Sequence, residues 1–220
     1  MTFYGVRAVI WDLDGVIIDS AEQHWNAWRK LAQETENIFT QNDFRKTFGQ
    51  RNEDIIPRFW KGSSPQEIKK LADRKESLFR DSLRENCRAL PGATELLREL
   101  HEAGWRQAIG SSAPVENIRL IIDLLEIGPF LNAAVSGEHM SMGKPAPDIF
   151  LAAARAIEAS QVNCIVIEDA IAGIQAAKAA DMRAVAVLNN TPNRELEAIA
   201  DLTAHTLNDL TPAKLSVLLR

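Results

Sequence analysis

Short apolar runs alternate along most of the chain with stretches in which apolar residues follow helical spacing. Runs rich in β-branched residues predict strands at 6–11, 106–110, 133–135, 163–167 and 183–188. Helical patterns at 96–103, 115–125, 149–157 and 171–180 separate the later strands. Thr-Pro pairs at 191–192 and 211–212 predict two further short helices. This order predicts an α/β fold in which helices cover both faces of a parallel sheet.

The stretch from about residue 18 to 89 differs, because it has helical periodicity and no convincing strand. Apolar spacing marks one helix at Trp25, Trp28 and Leu31 and another at Ile68, Leu71, Lys75, Leu78 and Phe79. Ser64 as N-cap, Pro65 at the first helical position and Glu67 at the capping-box position predict where the second helix starts. We therefore predict a core domain from residues 1–17 and 90–220 and an inserted α-helical domain from residues 18–89.

The composition indicates which classes of ligand and which cellular compartment to expect. The formal charge is -5, so nucleic acid and anionic membranes would be repelled at long range. A small phosphorylated ligand is compatible with this charge if positive charge is concentrated locally. No segment approaches the ~18 uninterrupted apolar residues of a membrane span, and the N-terminus lacks the pattern of a signal peptide. Cys87 and Cys164 are isolated, and Cys164 lies in an apolar run typical of a core residue. We expect a cytoplasmic protein.

The first candidate for chemistry is the sequence Asp12-Leu13-Asp14-Gly15, which follows the first predicted strand. Two acids one residue apart at a strand end can take two different catalytic roles. The first can attack phosphorus and share a divalent metal, while the second exchanges protons with the leaving and entering oxygens. The alternative is a turn at the end of the strand, since Asp and Gly both favour turns.

Two further signals concern anion binding. Ser111 and Ser112 follow the second strand and precede a helix, where a hydroxyl and helix N-terminal amides can hold phosphate oxygens. The alternative is an ordinary N-cap. Lys144 stands between Gly143 and Pro145 at a helix entrance and could offset the charge between a phosphate and Asp12. The alternative is a solvated surface Lys.

The last signal is a second acidic pair, Glu168 and Asp169, at the end of another apolar strand. Carboxylates that point into the same cleft as Asp12 suit octahedral oxygen coordination of Mg²⁺. The alternative is a turn in which Asp is the N-cap of the next helix. Because ligands bind at the carboxyl ends of parallel strands, the ordered recurrence of these signals at separate strand ends favours one shared site.

These motifs together resemble the haloacid dehalogenase superfamily: 12–16, Ser111, Lys144 before a Pro, and Glu168-Asp169. The resemblance covers essentially the whole chain and implies a Rossmann-like core with an inserted helical cap. It also implies an aspartyl-phosphate on Asp12 and acid/base work by Asp14. Dehalogenases that attack carbon lack the second acid, so phosphoryl transfer is favoured.

The resemblance also implies which of these residues bind the metal and which bind the phosphoryl group. The metal, Mg²⁺, would be held by the Asp12 carboxylate, the Asp14 backbone carbonyl and Asp169, with Glu168 nearby. The phosphoryl oxygens would be bound by Ser111 with its neighbour Ser112, and Lys144 would pair with Asp12 and the phosphate. This arrangement supplies the local positive charge that a phosphorylated ligand requires.

Within the superfamily, the sequences 19–24 and 144–150 resemble the β-phosphoglucomutase-like branch. In that branch a His and a Trp on the first cap helix face the substrate, which points to His24 and Trp28. Their spacing alone favours core packing; the resemblance reverses that interpretation for His24 and weakens it for Trp28. Arg51 and Asn52 are the other candidate substrate contacts of the cap.

Two departures separate the chain from the mutases. In the loop 49–54, which starts at Gly49, the Arg stands one place earlier than in the mutases, and Pro114 replaces a Lys after the phosphate-binding Ser. A mutase must bind a bisphosphate at two anion sites, and only Arg51 and Arg45 are candidates for the distal one. We therefore expect a monomeric phosphatase of small phosphorylated metabolites, with a mutase as the alternative and a non-catalytic sugar-phosphate-binding protein as a third possibility.

Overall fold

The computed structural model describes residues 5–47, 50–138 and 140–219, so that Gly49 lies outside the described residues. The chain divides into two compact units. We call Met1–Asp19 with Arg88–Arg220 the core unit and Ser20–Cys87 the helical unit. No helix in the described ranges combines the length and apolar character that a membrane span requires.

The core unit contains one parallel sheet, and six strands of it lie in the described part of the chain. They are β1 (Ala8–Trp11), β2 (Arg106–Ser111), β3 (Ala133–Ser136), β4 (Cys164–Glu168), β5 (Arg183–Val187) and β6 (Leu202–Ala204). The order across the sheet is β3-β2-β1-β4-β5-β6. The direction of strand addition therefore reverses at β1, and such a switch point opens a crevice at the carboxyl ends of the strands. The predicted parallel α/β fold is confirmed.

The helices were also largely anticipated by the apolar spacing. The helical unit contains α1 (Ala21–Glu34), α2 (Gln41–Thr47), α3 (Asn52–Phe59) and α4 (Pro65–Glu85). The core unit contains α5 (Ala93–Glu102), α6 (Val115–Leu124), α7 (Asp148–Ala156), α8 (Ile171–Ala179), α9 (Arg194–Ile199) and α10 (Pro212–Leu218), with short 3-10 turns at Gly128–Phe130, Gln161–Asn163 and Leu207–Asp209. Helix α4 starts with the predicted capping box, because Ser64 and Glu67 exchange hydrogen bonds between side chain and backbone.

Both faces of the sheet are covered by helices. One buried cluster joins Ala8 and Ile10 of β1 to residues of α7 and α8, among them Phe150 and Ile174. Gln107 alternates with Ala108 along β2 and so points to the opposite face, where its side chain donates to the backbone carbonyl of Leu97 in α5 at 2.8 Å. Residue Cys164 is buried in β4, and burial raises the pKa of its thiol to about 12. The predicted core role of this cysteine is confirmed.

Two local expectations were incomplete or wrong. Strand β6 was not predicted, and α9 begins at Arg194, not after the Thr-Pro pair at 191–192. The reason for the later start is Asn193, whose side chain accepts hydrogen bonds from the backbone N–H groups of Glu195 and Leu196. Helix α10, in contrast, begins as predicted, with Thr211 as its N-cap.

Candidate active site

Three acidic residues of the core unit, Asp12, Glu168 and Asp169, lie together at the switch point of the sheet. Strands β1 and β4 are direct neighbours, so Asp12, which follows β1, lies beside Glu168 and Asp169 at the end of β4. The backbone N–H of Asp12 donates to the carbonyl of Ile167 at 3.0 Å, which extends the ladder between the two strands to this point. Parallel pairing therefore brings together residues more than 150 positions apart in the sequence.

Lys144 lies at the centre of this acidic group. Its Nζ donates to Oδ1 of Asp12 at 2.5 Å and to Oε1 of Glu168 at 2.6 Å, and its side chain is only 12% exposed. The ammonium also lies 4.9 Å from the centre of the Phe150 ring, in a cation–π contact. Burial alone would lower the pKa of Lys144, but the two carboxylates raise it above its ordinary value. Lys144 is therefore a fixed cation of the site.

The carboxylates are crowded enough to change their ionisation. Burial raises the pKa of Asp12 to about 7, although Lys144 acts in the opposite direction. Burial, with the charges of Glu168 and Asp12, raises the pKa of Asp169 to about 8. Burial, together with the charges of the neighbouring carboxylates, therefore outweighs the single ammonium that favours the ionised forms.

The same group has the composition of a metal site. Oxygen atoms from Asp12, Glu168 and Asp169 all lie within 4.8 Å of one another. Hard carboxylate oxygens are the ligands that Mg²⁺ takes up, and an added divalent cation would stabilise the ionised forms of carboxylates whose pKa is raised. The donor set and the excess of negative charge thus both fit a divalent cation such as Mg²⁺.

Both carboxylate oxygens of Glu168 accept hydrogen bonds from neighbouring groups. Oε1 accepts from Lys144, and Oε2 accepts from the backbone N–H groups of Asp169 at 2.9 Å and Ala170 at 2.8 Å. The residue is 1% exposed. The contacts of Glu168 therefore fix both Lys144 and the start of the loop that carries Asp169.

Asp14 is half-buried on a tight loop directly after β1. In this loop the N–H of Gly15 donates to the carbonyl of Ile18 at 2.8 Å, and Gly15 has a φ of 83°, in the left-handed region. The side chain of Asn189, which follows β5, donates to the carbonyl of Gly15 at 2.8 Å. Asn189 was not identified from the sequence, where a pair of Asn residues after a strand is a common turn signal.

The two candidate phosphate-binding serines have different environments. Ser111 ends β2, the neighbour of β1 on the other side, and is 1% exposed. Its Oγ accepts from the backbone N–H of Ala113 at 3.1 Å. Ser112 is exposed, and α6 begins only at Val115, with Pro114 as its N-cap. Ser111 therefore has the fixed position that a phosphate ligand needs, and both assignments stay predictions.

The candidate substrate contacts of the helical unit belong to two different environments. Trp28 is 3% exposed, and its ring centre lies 5.2 Å from that of Phe39 and 5.9 Å from that of Trp60. This is an aromatic packing cluster. His24 is half-buried and stacks on Phe79, with ring centres 3.9 Å apart.

His24 also belongs to a polar network that the sequence analysis did not identify. Nζ of Lys75 lies 2.8 Å from Nδ1 of His24 and donates to Oε1 of Glu76 at 2.8 Å. Because an ammonium has no acceptor, Nδ1 of His24 must accept, which leaves any ring proton on Nε2. Asn52 donates to Oε1 of Glu76 at 2.7 Å, so its side chain is part of this network, whereas Arg51 is exposed.

A buried carboxylate held by a lysine beside further acids, at the switch point of a parallel α/β sheet, agrees with the phosphoryl-transfer chemistry expected from the sequence. The sequence pattern of the haloacid dehalogenase-like hydrolases matches residues 6–181. The chain belongs to this family, as the motifs indicated.

Comparison with relatives and solved structures indicates the branch of the family to which the chain belongs. The chain is 33% identical over 215 residues to β-phosphoglucomutase of Bacillus subtilis, an alignment that covers 94% of this chain and 92% of the relative. It is 31% identical to hexitol phosphatase A of Escherichia coli, with 94% of each covered. The crystal structure of β-phosphoglucomutase from Clostridium difficile superposes with a TM-score of 0.85 at 27% identity, covering 97% of each chain. The chain thus lies in the β-phosphoglucomutase-like branch.

Proposed function

We propose that the protein is a Mg²⁺-dependent phosphatase of small phosphorylated metabolites, with sugar phosphates as the expected class. The observation that carries the proposal is the position of Lys144, whose ammonium lies between Asp12 and Glu168. A cation at this point compensates negative charge on a carboxylate and leaves that carboxylate able to approach a phosphoryl group. Relatives named as hexitol phosphatase and as a phosphatase of phosphorylated carbohydrates support the substrate class.

The proposed reaction proceeds in two steps on Asp12. An Asp12 oxygen attacks phosphorus and forms an O–P bond while the ester P–O bond breaks, and Asp14 gives its proton to the departing alkoxide. Water then attacks the phosphorus of the aspartyl-phosphate while Asp14 takes a proton from that water. The bond between the Asp12 oxygen and phosphorus breaks, which releases inorganic phosphate and restores the Asp12 carboxylate. Lys144 and the Ser111 hydroxyl hold the phosphoryl oxygens throughout, with Ser112 beside them.

We propose that Mg²⁺ is held by the Asp12 carboxylate, the Asp14 backbone carbonyl and Asp169, with Glu168 nearby. When bound, the ion supplies positive charge that stabilises the equatorial phosphoryl oxygens. The raised pKa values of Asp12 and Asp169 support a cation at this position.

We also propose that the helical unit contributes to substrate choice through His24, Trp28, Arg51 and Asn52. The support is the resemblance to the mutase branch and, for His24, the hydrogen bond with Lys75 that orients the ring. The packing of Trp28 on Phe39 favours a structural role within that group. Action in the cytoplasm, as a monomer, stays a prediction.

A phosphosugar mutase is the second candidate, because a β-phosphoglucomutase is 33% identical to the chain. The test is incubation with β-glucose 1-phosphate and a trace of the bisphosphate. We expect free phosphate to appear faster than glucose 6-phosphate, since Pro114 and the displaced Arg51 weaken the case for a second anion site. The reverse order would show a mutase.

A sugar-phosphate-binding protein without catalysis is the third candidate, and Asp12→Asn separates it from an enzyme. We expect Mg²⁺-dependent hydrolysis of p-nitrophenyl phosphate by the unchanged protein and a loss of at least about 10³-fold in the variant, because the nucleophile is removed. Asp123→Asn, at an exposed position, is the matched control. Activity that survives Asp12→Asn would show that the nucleophile is a different group or that a contaminant is responsible. A panel of phosphorylated metabolites then identifies the substrate.

A further inference from the structure

Gly173 lies in the first turn of α8, the helix that follows the second acidic pair. A Cβ atom built on Gly173 would overlap Oε1, Cδ and Cγ of the Glu168 side chain. Ala is normally favoured over Gly within a helix, so helix formation gives no reason for Gly at this position. The space left by the missing side chain is the space that the Glu168 carboxylate occupies.

Glu168 cannot move away from a side chain at position 173 without breaking its own contacts. The residue is 1% exposed, and its carboxylate accepts three hydrogen bonds, from Lys144 and from the backbone N–H groups of Asp169 and Ala170. A methyl group on residue 173 would therefore displace the carboxylate that holds Nζ of Lys144 at 2.6 Å. Lys144 would then keep only one of its two carboxylate partners, Asp12.

We infer that Gly173 is a positioning residue, which makes the space that lets Glu168 hold Lys144 beside Asp12. The inference rests on the proposed function, because that proposal gives Lys144 the task of neutralising the phosphoryl group. Gly173 itself touches neither the substrate nor the reacting atoms. Its effect on catalysis passes through the Glu168 carboxylate.

The direct test compares Gly173→Ala with Gly128→Ala in the full-length protein. A Cβ on Gly128 meets only Ile122, at an ordinary contact distance of 3.5 Å, so Gly128→Ala is the matched control. For Gly173→Ala, we expect kcat with Mg²⁺ to fall about a hundredfold while KM changes little, because a small misplacement of a catalytic group has an effect of this size. Gly128→Ala should retain the kcat of the unchanged protein.

A second readout follows Lys144 itself and needs neither substrate nor metal. In a chelating buffer, acetylation of lysines followed by mass spectrometry reports how accessible each ammonium is. The Lys144 side chain is 12% exposed and has two carboxylate partners, so we expect slow labelling in the unchanged protein and severalfold faster labelling in Gly173→Ala. Equal labelling and equal kcat in the two Gly→Ala variants would overturn the inference.

A double-mutant cycle with Glu168→Ala shows whether the effect passes through Glu168. Once the Glu168 carboxylate is removed, Gly173→Ala should lower kcat by less than about twofold further, whereas an independent structural role would give additive losses. If Gly173→Ala alone does not fold, the double variant decides the question. An unfolding temperature equal to that of Glu168→Ala supports the inference, and continued failure to fold overturns it.

The readouts also separate this inference from the proposed function. If no phosphorylated metabolite is hydrolysed but Lys144 labelling follows the expected pattern, the proposed function fails and the positioning role of Gly173 stands. If hydrolysis occurs but labelling and kcat are insensitive to Gly173→Ala, only the positioning role fails.

Discussion

Two glycines of the core unit decide where carboxylates of the site can lie. Gly173 leaves space for Glu168, and Gly15 leaves space for Asp169, since a Cβ on Gly15 would overlap the Asp169 carboxylate. Gly15 also has a φ of 83°, where a side chain is strained by about 1–2 kcal/mol. Asp14 thus supplies a carboxylate, and the absence of a side chain at Gly15 leaves room for the carboxylate of Asp169.

The consequence at Gly15 is testable with Gly15→Ala, for which we expect both lower stability and weaker Mg²⁺ binding. Gly62→Ala is the matched control, because Gly62 has a φ of 84° and nothing within 4 Å of its built Cβ. The control carries the backbone strain without the overlap, so it should lose stability but bind Mg²⁺ as before. Calorimetric titration with Mg²⁺ distinguishes the two, and equal affinities would contradict the role given to Gly15.

These glycines also show which parts of the site the sequence could not reveal. Asp12, Lys144, Glu168 and Asp169 could be predicted to converge because parallel strands end at one edge of the sheet. The function of Gly173 depends on where one side-chain carboxylate packs, which periodicity does not report. Asn189 acts through a hydrogen bond to a loop 174 positions away in the sequence.

At the scale of elements, pattern length decided which strands and helices were predicted. Strands β1 to β5 have four to six residues each and were anticipated, whereas β6 has only three residues. Helix α4 was predicted from its apolar stripe and its capping box. The same stripe included Lys75, and its pairing with Glu76 could not be seen because neighbouring residues of a helix do not normally face each other.

The Lys75–Glu76 pair predicts how stability depends on pH. Burial raises the pKa of Glu76, but Lys75, with smaller contributions from His24 and Asn52, lowers it overall to about 2. A carboxyl whose pKa is lower in the folded state stabilises the protein above its unfolded value, near 4.5. We expect roughly 3 kcal/mol of this stabilisation to be lost as the pH falls from about 4.5 towards 2.

Glu76→Gln removes the ionisable group and should flatten the pH dependence of the unfolding free energy over this range. Glu85→Gln, at an exposed position of the same helix, is the control and should keep the slope of the unchanged protein. Urea unfolding at a series of pH values measures the slope. Identical slopes for the three proteins would contradict the assignment of Glu76.

At the scale of the whole molecule, metal binding should appear as folding stability. An ion that binds the folded chain but not the unfolded chain stabilises it by about 2.7 kcal/mol at a hundred times its dissociation constant. We expect Mg²⁺ to raise the unfolding temperature of the protein and to leave that of Asp169→Asn unchanged. Asp123→Asn should respond as the unchanged protein does. A Mg²⁺ response that persists in Asp169→Asn would remove Asp169 from the metal site.

The overall charge of -5 is compatible with this account, since the site carries its own cation in Lys144. The parallel α/β fold could be predicted because strand and helix patterns alternate along most of the chain. The choice between phosphatase and mutase could not be predicted in this way, because it depends on side-chain positions in the helical unit. The spacing of residues in the sequence does not determine the positions of side chains such as His24 and Asn52.

The most direct test of the central claim is to identify the residue that carries phosphorus during turnover. The enzyme is mixed with Mg²⁺ and a sugar phosphate that it hydrolyses, and the reaction is stopped with acid within the first turnover. The protein is then digested, and its peptides are examined by mass spectrometry. The account predicts a phosphoryl group on the Asp12 side chain that is absent in Asp12→Asn. Phosphate released at the full rate with a phosphoryl group on another residue, or on none, would contradict it.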